Sequence, residues 1–102
     1  MPFRKADRPV LAGRFAFQQP ALLHAKMRLY ADRLVLTGWH WRGFYRRCFP
    51  IRQILQIDAL DDIGLVLWLA SGEAVRLRVD HAAQWKTAFE THQARLRDET
   101  SD

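Results

Sequence analysis

Nine consecutive residues, Trp39-His40-Trp41-Arg42-Gly43-Phe44-Tyr45-Arg46-Arg47, gather four aromatic rings, a histidine and three arginines. Arginine offers phosphate or carboxylate a rigid, permanently charged fork, and an aromatic face stacks on a base or lies at a lipid interface. The segment spans a turn at Arg42-Gly43, so Trp41 and Phe44 fall near the tip of a hairpin. One reading is therefore an anion-binding or membrane-touching loop. The other is packing: Trp39, Phe44 and Phe49 fill a core or an edge, with solvated arginines covering them by their aliphatic stems, which is the commoner outcome. The same residues suit single-stranded nucleic acid, but no recognition fingerprint accompanies them and the acidic second half of the chain would repel phosphates.

Other residue types offer less. His24, His40, His81 and His92 are scattered without metal-ligand spacing. Cys48 and His40 fall on neighbouring strands, yet a thiol nucleophile also needs a base held by a third group, and a lone strand cysteine is usually a buried small hydrophobe. Asp58, Asp61 and Asp62 lack the regular spacing of a hard-cation loop. Neither G-x-G-x-x-G nor a phosphate-binding P-loop occurs. The expectation is a protein that is not an enzyme and carries no cofactor or metal.

The chain that must position these residues has 102 amino acids, 49% apolar and 26% charged, the composition of one folded domain. Its longest apolar run, Ile63 to Ala70, is too short to span a bilayer. A single cysteine and the lack of an apolar leader suit a reducing cytoplasm. Charge is divided unevenly. Residues 1–57 carry eleven Lys and Arg against Asp7 and Asp32, and residues 58–102 carry five against nine acids, giving +9 and −4. An anionic partner for the first half, or self-complementary contact, would use that division; interleaving of the halves in space would erase it.

Residues 1–14, with two prolines, a glycine and the cations Arg4, Lys5, Arg8 and Arg14, read as a flexible basic arm. Residues 98–102 read as an acidic frayed tail, leaving a domain over 15–97. Within it, short runs alternate and are punctuated by turn residues, the signature of antiparallel strands. They cover Ala21–Tyr30, Arg33–Trp41, Phe44–Phe49, Ile51–Leu60, Leu65–Leu69 and Glu73–Val79. Ala31-Asp32 and Ser71-Gly72 supply tight turns, and Pro50 ends a strand or marks an edge. Leu65–Leu69 should be the most buried strand; Val75, Leu77 and Val79 should point inward. Asp80 then reads as a helix N-cap, followed by Trp85, Ala88, Phe89, His92 and Leu96 on one helical face. A single helix must bury that face against the sheet.

A meander of short strands closed by one C-terminal helix resembles the pleckstrin-homology-like superfold, and in particular its bacterial and GRAM-type members. The stretches that carry the likeness are KMRLYADRLVLTGW (Lys26 to Trp39) and FPIRQILQIDAL (Phe49 to Leu60), with Trp85 in the closing helix. The resemblance implies a mainly β fold, an antiparallel barrel or sandwich of six to seven strands capped by the helix. It also implies a non-enzymatic binding module. The partner would be a protein, a peptide or a second copy of the chain. Alternatives are anionic membrane lipid through the basic-aromatic hairpin and, more weakly, single-stranded nucleic acid. Trp39, Trp41, Arg42, Phe44, Tyr45, Arg46 and Arg47 are the candidate binding residues. Lipid-binding relatives carry basic residues around a long first hairpin loop; here that turn is Ala31-Asp32 and holds an acid.

Overall fold

Apolar side chains alternate with polar ones along most of the chain, and that alternation dictates a sheet with one wet face. The structure, a computed structural model, describes residues 8–17 and 21–100, with side chains described up to residue 98. Seven strands are present: β1 (Leu11–Ala16), β2 (Leu23–Leu29), β3 (Arg33–His40), β4 (Gly43–Pro50), β5 (Ile54–Ala59), β6 (Gly64–Leu69) and β7 (Ala74–Val79). A 3-10 turn, Ile51–Gln53, links β4 to β5, and the helix α1 (Ala82–Thr100) ends the chain. The fold is mainly β, as the punctuated runs predict. The strands form one antiparallel sheet in the order β4-β3-β2-β1-β7-β6-β5. It is an open sheet, with β4 and β5 as its edges.

β1 joins the two halves: residues 11–14 pair with β2, and Phe15 and Ala16 pair with β7. The inner faces of both halves and of α1 merge into one apolar core, including Met27, Leu29, Leu36, Ile54, Leu67 and Phe89. Leu65, Val66 and Leu67 are almost fully buried, as their position in the most apolar run predicts, while Trp68 in the same strand stays 43% exposed. Val75, Leu77 and Val79 face inward.

Several expectations are corrected. Leu11 to Arg14 belong to the sheet rather than to a flexible arm, so the domain begins before residue 15. Their alternation is masked in the sequence by Gly13 at an inward position. A Cβ there would sit 3.2 Å from Cζ2 of Trp85, so the helix tryptophan occupies the space a larger residue would need. Residues 1–7 of the expected arm lie outside the described residues. At the other end α1 runs through Asp98 to Thr100 rather than fraying, and the rest of the expected tail lies outside the described residues. The β6–β7 loop holds Ala70, Ser71, Gly72 and Glu73, longer than the expected Ser71-Gly72 turn. Leu69 N–H donates to Glu73 O, and Gly72 takes a φ of 94° that favours glycine.

Helix α1 starts at Ala82, two residues beyond the expected cap. The His81 carbonyl receives the Gln84 and Trp85 amides, and the Ala82 N–H donates to the Asp62 carbonyl at 3.0 Å. A loop carbonyl thus meets an amide that the Asp80 side chain was expected to help satisfy. Trp85, Phe89 and His92 are buried and Ala88 and Leu96 half-buried, the face their spacing predicts. That face crosses to the β5 edge, where Lys86 Nζ donates to Ile57 O, and Gln93 Nε2 to Ile54 O and Leu55 O, each at 3.3 Å.

Candidate functional site

The β3–β4 hairpin closes on the pair His40↔Gly43, leaving Trp41-Arg42 as its two-residue loop, one position earlier than expected. Gly43 takes a φ of 133°, which a residue with a Cβ reaches only under strain. Arg42 N–H donates to His40 Nδ1 at 3.3 Å, and the Arg42 guanidinium lies 4.6 Å from the Trp41 ring centroid. From this turn the alternation of β4 decides every side chain. Phe44, Arg46 and Cys48 go outward; Tyr45, Arg47 and Phe49 go inward.

Trp39 and Phe44 are directly opposite on the outer face, their ring centroids 5.2 Å apart and their planes 60° apart. Leu23 of β2 is opposite Trp39 on its other side. A bulge between Leu23 and Lys26, with His24 at a φ of 52°, leaves both Leu23 and His24 exposed in succession. Leu23, Trp39, Phe44 and the loop residue Trp41 are 70%, 52%, 57% and 81% exposed. Trp39 and Phe44 therefore stay out of the core and pack on each other at the edge of the sheet, and of that trio Phe49 alone enters the core.

The ladder then lines up a row across four strands. Arg14 pairs with Lys26, Lys26 with Thr37, and Thr37 with Arg46. Arg28, one outward step further along β2, donates from Nη1 to Thr37 Oγ1 at 3.2 Å. Among the described residues of β1–β4, no acid lies on this face; Asp32 sits in the turn beyond it, beside Arg33. The charge division of the sequence thus survives as a cationic surface bordering an apolar patch.

Two candidate residues lie elsewhere. Tyr45 is half-buried and meets Phe17 edge-on at 5.9 Å. Arg47 lies over the Phe49 ring at 4.7 Å and pairs with Glu73 at 2.5 Å, linking the two halves of the sheet. That hydrogen bond raises the guanidinium pKa and holds the Glu73 carboxyl below its ordinary value. Trp39, Trp41, Arg42, Phe44 and Arg46 do come together. Leu23, Arg14, Lys26 and Arg28 join them, although only the alternation of Lys26 and Arg28 hinted at this in the sequence.

No nucleophile site assembles around Cys48. The thiol is exposed rather than buried, because it takes the outward phase of β4, and it lies five ladder positions from the His40 pair. The acidic residues serve local structure. Asp61 Oδ1 accepts from the amides of Ile63 at 2.8 Å and Gly64 at 2.6 Å. Asp58 accepts from Gln56 Nε2 at 2.6 Å and Trp68 Nε1 at 2.9 Å, and these bonds lower its carboxyl pKa. Among the described residues no three metal-ligating side chains gather, and no helix is long and apolar enough to cross a membrane.

No protein-family model matches this sequence, and no curated protein matches it. What the geometry defines by itself is an open antiparallel sheet with a basic-aromatic outer face.

Proposed function

We propose that this protein is a non-enzymatic binding module that attaches peripherally to anionic membrane surfaces through the outer face of β1–β4. The observation that carries the reading is the exposed row Leu23–Trp39–Phe44, with exposed Trp41 in the adjoining hairpin loop, beside the Arg14–Lys26–Arg46 row. Each half of that surface supplies one membrane signal. Cations close to an anionic leaflet contribute about 1 kcal/mol each, and inserted apolar side chains add hydrophobic transfer on the order of 25 cal/mol per Å². Together they make the two-signal arrangement that stable peripheral binding requires. Trp and Tyr rings suit this depth because one end is apolar and the other wet. The cytoplasmic leaflet is the anionic one, in keeping with the reducing compartment read from the single cysteine.

The strand order and the helix closing on β5 support a pleckstrin-homology-like or GRAM-like assignment for this module. Nucleic acid fits the same surface less well. Trp39 and Phe44 meet edge to face instead of leaving parallel open faces, and Leu23 has no ring on which a base could stack. Co-sedimentation with vesicles of neutral and of anionic composition, at low and moderate salt, tests the proposal. Binding should rise with anionic lipid, fall with salt and be lost in Trp41→Ala/Phe44→Ala. Absence of vesicle binding together with retention of single-stranded oligonucleotide would transfer the site to nucleic acid.

A further inference from the structure

The two edges of the sheet are treated differently. At β5, three carbonyls accept from Lys86 and Gln93, and a bulge between Ile54 and Gln56 breaks the register, so α1 blocks that edge. At β4, eight residues long, the described pairings are all with β3. Its hydrogen-bond phase is fixed by the Ile51 N–H donating to Asp32 O at 2.9 Å. Counting back in twos makes 34/49, 36/47, 38/45 and 40/43 the hydrogen-bonded pairs. The amides of Phe44, Arg46 and Cys48, with their carbonyls and that of Pro50, therefore point away from β3. That is a strand-length template for another chain.

Its side chains specify the chemistry. Outward, Arg46 stands between Phe44 and Cys48, and Arg42 lies at the adjoining turn. Inward, a depression between β4 and β7 has Phe17, Tyr45, Ala74 and Val75 as its apolar lining, with Arg76 and the Arg47–Glu73 ion pair, whose acid is already neutralised, as its polar lining. A second copy is a poor occupant. Two-fold antiparallel pairing centred on β4 sets arginine opposite arginine, and like charges directly opposite are destabilising. We infer that the free edge of β4 docks an extended segment of a partner protein by strand addition. That segment alternates acidic and apolar residues, with an acid opposite Arg46 and apolar side chains entering the depression. This surface shares Phe44 and Arg46 with the proposed membrane face but is read by the backbone hydrogen bonds of the β4 edge, to which Cys48 supplies an amide.

The test uses the full chain and a fluorescein-labelled peptide of alternating Glu and Val, with an alternating Lys and Val peptide as its charge control. Fluorescence anisotropy should show saturable binding of the acidic peptide below about 1 mM and none of the basic one. Cys48→Pro removes a free-edge amide without touching the β3 ladder, because 35/48 is a non-hydrogen-bonded pair. It should weaken binding about tenfold while circular dichroism and the melting temperature show an intact fold. Amide exchange gives a second readout, with Arg46 and Cys48 gaining protection when peptide is added. Equal binding of both peptides, no binding of the acidic one, or binding unchanged by Cys48→Pro would overturn the inference. So would a concentration-dependent dimer, abolished by Cys48→Pro, in sedimentation equilibrium, since it would seat a second copy on that edge.

Discussion

Trp41 contributes little to folding, since a side chain 81% exposed gains almost none of the transfer free energy that burial brings. Its ring meets two neighbours in the chain, His40 at 5.6 Å between ring centroids and Arg42 at 4.6 Å, the latter an exposed cation–π contact worth about 0.5–1 kcal/mol. Trp41→Ala should therefore change unfolding free energy by no more than about 1 kcal/mol while reducing vesicle binding, a separation that chemical denaturation and sedimentation together can read. Gly13 is the opposite case. Replacing it by Val forces a Cβ and two methyls against the buried Trp85 ring, and overpacking of that kind costs about 1–3 kcal/mol. Gly13→Val should lower the denaturation midpoint; an unchanged midpoint would mean that Trp85 can leave β1 freely. His92 adds a pH dependence. Burial, then the nearby Arg95 charge, lowers its pKa from 6.5, so as pH falls the unfolded chain binds a proton here before the folded one does. Stability is thus insensitive to this group above pH 6.5 and declines below it, until the folded imidazole also titrates. Melting temperatures between about pH 8 and pH 5 should fall through that window, and more steeply than in His92→Gln. Equal declines in the two proteins would remove His92 as the cause.

At the scale of elements, α1 is held to the sheet by both kinds of interaction. Phe89, 1% exposed, is the centre of its apolar face, and Phe89→Ala should cost about 3–5 kcal/mol. Gln93→Ala removes hydrogen bonds to the Ile54 and Leu55 carbonyls but little apolar burial, so it should cost nearer 0.5–1.5 kcal/mol by the same measurement. A larger loss from Gln93 than from Phe89 would mean that edge capping, not burial, anchors the helix. The elements themselves were legible where one physical rule acts alone. β7 shows its inward valines and leucine by strict alternation, and the α1 face shows by three-and-four spacing. β1 was hidden because its middle inward residue is Gly13, whose role is defined by Trp85 more than seventy positions away. The start of α1 was misplaced for a similar reason, since a carbonyl of the β5–β6 loop meets its first amide. The site was half legible: the hairpin announces Trp39, Trp41 and Phe44, but their exposure depends on which way the ladder phase falls. Leu23 reaches them only through a bulge that no local pattern marks.

Across the whole molecule, the position of the charges separates face from bulk attraction. With a net charge of +5, the protein is drawn to any anionic surface, and that alone would give salt-sensitive vesicle binding. Two double charge reversals distinguish the cases, because each lowers the net charge by the same four units. Lys26→Glu/Arg46→Glu places acids inside the outer row of β1–β4. Arg52→Glu/Arg76→Glu alters exposed residues of the 3-10 turn and of β7, away from that row. If the face docks on lipid, the first pair loses attraction from two cations and gains repulsion from two anions at the contact. At about 1 kcal/mol per charge near the surface, that shifts the partition coefficient by a hundredfold or more. The second pair acts only through a screened field, because ions farther than about 8 Å from the lipid contribute weakly at physiological salt. Its partitioning should therefore stay within severalfold of the parent protein. Equal losses in the two variants would mean that net charge alone draws this protein to lipid, and the apolar patch beside the row would then need a partner of another kind.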